Sequence, residues 1–166
     1  MTETQTVSAF SRKPAVSNIY PLSFDEPIDE PKVRITEPDR NSWWDQVIER
    51  LQDLVSLEIG WDGYQGEPVR FENAAFALRV LEAICFDDTP TPHIVPGTSG
   101  DLQIEWHTHA AEIELDILAP NSVHAWISTP ETKPEGEEFV LTTDFTKVVR
   151  VIRKMTECAR DQTAAA

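Results

Sequence analysis

Two histidines and a file of carboxylates stand close together in residues 104–117, IEWHTHAAEIELDI. Imidazole and carboxylate are ligands that first-row metals accept, and His107 and His109, two residues apart, would leave the same side of a strand. A second chemistry needs only the acids. Glu105 and Glu114, placed opposite one another, would repel, raise one pKa and supply the unequal carboxylates of general acid–base catalysis. A third use needs no reaction: acids beside an aromatic side chain make a surface for a basic partner.

The choice among these depends on the elements that position the groups. Leu102, Ile104 and Trp106 alternate with Gln103, Glu105 and His107. Ile113, Leu115 and Ile117 alternate with Glu112, Glu114 and Asp116, and Val123, Ala125 and Ile127 alternate with His124 and Trp126. Period two over three segments predicts three half-buried strands, with EEFVLTT at 137–143 a fourth and PHIVP at 92–96 a short edge strand. A one-residue slip would turn every apolar side chain outward, so the register is constrained. Residue 107 should face 112, and 117 should face 123. Glu105 then lies opposite Glu114, Asp116 opposite His124, and Glu114 opposite Trp126.

That register disfavours the first two chemistries. His109 falls in the turn, and His124 lies two strands from His107. An open sheet leaves Glu105 and Glu114 in solvent, which blunts their repulsion, and the chain has no nucleophile elbow, P-loop or dinucleotide fingerprint. No catalytic residue, metal ligand or cofactor is expected. The expected partner-binding set is Glu105, His107, Glu112, Glu114, Asp116, His124 and Trp126.

Around these strands the sequence predicts an α+β fold: two N-terminal helices, an antiparallel meander of three to five strands, and a C-terminal amphipathic helix on the sheet. The first helix should begin near Ser42, with Asp45 completing a capping box, and present Trp44, Val47, Ile48, Leu51, Leu54 and Val55. The second, FENAAFALRVLEAICF, is apolar around most of its circumference, with Phe71, Ala74, Leu78 and Leu81 on one side. It should lie centrally, between the first helix and the sheet. The last, DFTKVVRVIRKMTECAR, places Phe145, Val148, Val149, Ile152, Met155 and Ala159 on one face and Lys147, Arg150 and Lys154 on a solvated one, with Asp144 or Thr143 as its cap.

Residues 1–40 hold five of the twelve prolines, with DEP, DEP and TEP recurring, and read as a flexible arm. Residues 41–162 read as one domain and 163–166 as a disordered tail. The two cysteines, Cys85 and Cys158, have no CxxC partner and are expected to be buried free thiols.

The net charge of −15 is unevenly placed. Residues 41–142 carry 19 acids and 4 bases, whereas residues 143–166 carry 3 and 5. Direct nucleic-acid binding by the acidic region is disfavoured, because Lys and Arg supply phosphate-backbone affinity. No apolar run is long enough for a membrane span, and MTETQTVSAFSRKP lacks a secretory h-region, so a cytoplasmic location is expected.

The stretch GWDGYQGEP places Gly60, Gly63 and Gly66 where unusual backbone angles are needed and lets Asp62 bond its own turn. Trp61, Asp62, Gly63 and Tyr64 are expected to form a structural turn, with Trp61 and Tyr64 stapling the two helices. This turn, together with PHIVPGTSGDLQIEW, resembles a group of small bacterial proteins of unassigned function that share a GWDGYGA-type turn and a G-x-I/L-Q-I/L-E-W strand. The likeness covers roughly residues 54–118, falls on Trp61, Asp62, Gly63, Gln103, Glu105 and Trp106, and departs at Gln65-Gly66. It implies a recurring bacterial domain and no particular activity.

The expected function is therefore that of a non-enzymatic acidic binding protein engaging a basic protein, in the manner of an antitoxin, immunity protein or inhibitor. The alternatives are a metal-dependent enzyme using His107, His124 and neighbouring acids, and a structural subunit of a larger assembly. The oligomeric state is left open.

Overall fold

The computed structural model describes residues 43–132 and 135–164. Helices α1 (Trp44–Val55) and α2 (Phe71–Ile84) precede five strands, β1 (His93–Pro96), β2 (Leu102–His107), β3 (Glu112–Ala119), β4 (Ser122–Ser128) and β5 (Glu137–Leu141), and α3 (Thr146–Ala164) follows. The strands form one antiparallel sheet in chain order, β1 to β5. The class is α+β. Ser42 and the 1–40 arm lie outside the described residues.

Hydrophobic alternation sets the register. Trp106 pairs with Ile113, Ile104 with Leu115 and Leu102 with Ile117. On the next strand Ile117 pairs with Val123, Leu115 with Ala125 and Ile113 with Ile127. Ile113, Leu115 and Ile117 are 0% exposed, and burying each contributes about 1.5–3 kcal/mol. The helices cover this inner face. Helix α2 touches α1, α3, β2 and β3, as its wide apolar surface requires, while α1 touches β1. Val148, Ile152 and Met155 of α3 join the same core.

Indole N–H groups pin the connection between α2 and β1. Trp43 Nε1 donates to Phe86 O at 2.9 Å and Trp106 Nε1 to Pro90 O at 2.8 Å. Between them Thr89 is fully buried, its hydroxyl 3.0 Å from that of Thr156 on α3 and accepting the Phe86 N–H at 2.8 Å. Two neutral hydroxyls thus satisfy one another inside the core.

Four expectations change. Phe71 is 73% exposed, because helical side chains lean towards the N-terminus and the first residue of α2 overhangs the helix end. Helix α3 continues through Thr163 and Ala164, where a tail was expected, and Thr163 Oγ1 donates to Ala159 O. Its start is as expected, with Asp144 Oδ1 accepting the Thr146 N–H at 2.9 Å. Only Cys85 is a shielded thiol, its pKa pushed up to about 12 by burial, whereas Cys158 is exposed on α3. Finally, Tyr64 is 87% exposed and staples nothing.

Candidate functional site: the outer face of the sheet

The GWDGY turn explains the fate of Tyr64. Asp62 Oδ1 accepts the N–H groups of Tyr64 and Gly66, both at 2.9 Å. Gly60 N–H closes onto Gly66 O at 2.8 Å, and Trp61 Nε1 donates to Glu67 O at 3.0 Å. These bonds satisfy the turn internally and leave Tyr64 outside it. They also hold the Asp62 carboxyl below its ordinary range, since the N–H donors of Gly66 and Tyr64 favour the ionised form.

The remaining expected residues meet on the outer face of the sheet. Glu105 pairs with Glu114, Gln103 with Asp116 and His107 with Glu112. Asp116 pairs in turn with His124, and Glu114 with Trp126. The two flanking strands add neighbours that were not foreseen. Strand β5 sets Glu138 beside Trp126 and Val140 beside His124, and β1 sets His93 beside Glu105. The alternation in EEFVL and PHIVP carried that signal, but neither segment is long enough to fix its own register from apolar contacts. One row across the sheet therefore reads His93, Glu105, Glu114, Trp126, Glu138.

None of the five strands contains a Lys or Arg. His107 Nε2 lies 3.2 Å from Glu105 Oε2. Gln103 Nε2 donates to Glu114 Oε2 over 3.4 Å, a long bond that neutralises no charge. Among the described residues, Glu112, Glu114, Asp116 and Glu138 make no ion pair with a Lys or Arg. The Glu114 carboxyl is raised above its ordinary value by partial burial and then by Glu105. Asp116 is raised chiefly by burial, against the pull of His124. Partial desolvation leads both shifts, and neighbouring carboxylates add to it.

Glu114, Asp116, His124, Trp126, Glu138 and Val140 line a shallow depression of about 580 Å³. Trp126 is half-buried. The loop before β5 holds it: its indole N–H donates to Glu135 O at 3.0 Å. Gly136, at φ +70°, lies so close to the indole that a Cβ there would sit 2.6 Å from the ring. The ring is a fixed wall between Glu114 and Glu138.

Metal chemistry finds no such convergence. His107 and His124 sit on β2 and β4 with β3 between them, and His107 lies in the row of Glu112 and Ser128 whereas His124 lies in the row of Asp116 and Gln103, so strand spacing and rise put them roughly 16 Å apart. His109 lies in the Thr108–Ala111 turn, closed by a Thr108 N–H to Ala111 O bond of 3.0 Å. Among the described residues no three His, Cys, Asp or Glu side chains form a group able to hold a metal ion. Among the same residues no helix is long and apolar enough to cross a membrane.

Comparisons with protein-family models, with curated proteins and with solved structures return no match for this chain. The functional reading rests on the geometry.

Proposed function

We propose that this is an acidic cytoplasmic binding protein, non-enzymatic, whose outer sheet face docks a basic protein in the manner of an antitoxin, immunity protein or inhibitor. The observation that carries this reading is the group of outer-face carboxylates on β2, β3 and β5, in a sheet whose five strands contain no Lys or Arg. Carboxylates opposed in this way weaken the sheet while it stands alone. A partner's Lys or Arg side chains would relieve the repulsion and draw Glu114 and Asp116 fully into their ionised forms. Trp126, immobilised by Glu135 and Gly136, offers a rigid aromatic surface that loses little side-chain entropy on binding.

The test is affinity capture from the native host with mass spectrometry, comparing wild type with a Glu114→Lys, Asp116→Lys variant shown to be folded. The reading expects a basic protein in stoichiometric amount with the wild type and its loss with the variant. Recovery of the same proteins by both baits, or of none, would remove its support.

A further inference from the structure

On the other layer of the domain, away from the acidic face, α3 and the end of β4 enclose a cleft of about 670 Å³. That volume lies in the range of small-molecule sites, roughly 300–1,000 Å³. Its wall on the helix is a single stripe at helical spacing, Lys147, Arg150, Val151, Lys154 and Cys158, and Ile127 and Ala110 face it from the sheet side. Ile127 is buried in the core, Val151 packs against that core, and the Cys158 thiol is exposed. The cleft thus has an apolar floor and a charged rim in which Lys147, Arg150 and Lys154 outnumber Glu131 and Glu137 by one.

The rim is unusual for this chain. Among the described residues outside the cleft, each Arg has other work. Arg50 donates to Ile94 O, Arg70 pairs with Glu67 and Arg160 with Asp88, while Arg79 and Arg153 lie over Phe76 and Phe86. Three cations converge on the cleft instead. Two of them strap its mouth, Lys147 to Glu137 and Lys154 to Glu131. Arg150, between them, makes no ion pair of its own among the described residues; its nearest effect is to favour the ionised form of Asp144. Exposed ion pairs of this kind hold little free energy, so an incoming anion can take the place of Glu131 or Glu137 at small cost.

We infer that this cleft is a binding site for a small amphiphile with one carboxylate head, its head held by Arg150 with Lys147 and Lys154 and its apolar body laid along Ile127 and Val151. A cationic amphiphile would meet Arg150 and would have to compete with Lys147 and Lys154 for the two rim carboxylates. A neutral one would give Arg150 no counter-ion and gain only the apolar contact.

The experiment is an amide NMR titration of the full-length chain with decanoate below its micelle concentration, beside decyltrimethylammonium and decanol. Saturable shifts clustered at Ala110, Ile127, Thr129, Val151 and Cys158 with decanoate, and about tenfold weaker binding of the other two, are expected. Arg150→Glu should weaken decanoate by a similar factor, and the milder Arg150→Gln, which keeps the helix surface neutral, by less. Glu131→Gln with Glu137→Gln, which frees both lysines, should tighten it. The site is overturned by absence of saturable shifts, by shifts gathered instead around Phe71 and Leu78, or by equal affinity for the cationic amphiphile. It is equally overturned if both folded Arg150 variants bind decanoate like the wild type.

Discussion

Replacing Glu114 by Gln should make the protein more stable at neutral pH, although it deletes a charge from a surface position. Glu114 stands directly opposite Glu105 and is partly buried, and the Coulombic influences of Glu105, Asp116 and Glu112 all oppose its ionisation. An unfavourable cross-strand pair of this kind costs about 0.2–1 kcal/mol. The amide keeps the shape and keeps an oxygen able to accept from Gln103 Nε2. A gain of about 0.5–1 kcal/mol at pH 7 is expected, read as a rise of roughly 2–4 °C in melting temperature.

The pH dependence fixes the cause. The folded-state pKa of Glu114 is raised above its ordinary value of 4.5, so between the two values the folded chain binds more protons than the unfolded one. The stability tied to that proton is fully present below the unfolded value and is lost as pH rises through the folded one. The variant cannot lose it. Urea unfolding at pH 7, 5.5 and 4 should therefore show an advantage that is largest at pH 7 and absent near pH 4. At about 1 M salt, where the screening length falls to about 3 Å, the share due to Glu105, Asp116 and Glu112 should shrink while the share due to burial remains. A variant no more stable than wild type at pH 7, or one whose advantage persists unchanged at pH 4, would refute the assignment of like-charge strain to this face.

Three further outcomes are expected. Gly63 has φ +83°, and a methyl group added there would meet nothing within 4 Å, so Gly63→Ala should cost about 1–2 kcal/mol through backbone strain alone, and Gly63→Asn less, by urea unfolding. Thr156→Val removes the acceptor that faces the fully buried Thr89 hydroxyl; about 1–3 kcal/mol is expected, with the Thr89→Val, Thr156→Val pair costing less than the sum of the two. Thiol labelling at pH 8 should consume one equivalent rapidly in the native protein, at exposed Cys158, and the second only on unfolding, because burial holds the Cys85 thiol up to about 12.

The strand register was legible because period-two alternation leaves one pairing that keeps Ile104, Leu115 and Ala125 on a common face. Sequence spacing says which side of an element is apolar; it does not say what covers that side. Phe71 shares a helical stripe with the buried Ala74 and Leu81 yet overhangs the start of α2. Tyr64 is exposed because backbone bonds to Asp62 close the turn without it. Strand β5 was ambiguous for another reason. Its inward row contains Glu137, which pairs with Ile127 and reaches Lys147 on α3, so a charge interrupts the apolar pattern at the edge where the helix can neutralise it. The cationic cleft could not be read at all, since it exists only once α3 lies across the end of β4.

Under the proposed function the placement of the acids has a use that solubility alone does not require. Acids that serve only to keep a protein dissolved function anywhere on the surface, and cost least where they are fully hydrated and apart. Here they are aligned on neighbouring central strands, with Glu114 and Asp116 partly desolvated and their ionisation opposed, while five bases are gathered in α3 on the other layer. A solvated antiparallel face would gain from interspersed Lys and Thr. Under the proposed function such strain would be kept because a basic partner relieves it. The Glu114→Gln variant joins the two sides of that reasoning: under the proposed function it should gain stability and bind its basic partner less well. A variant that gained stability and bound unchanged would leave the strain on this face real and its purpose elsewhere.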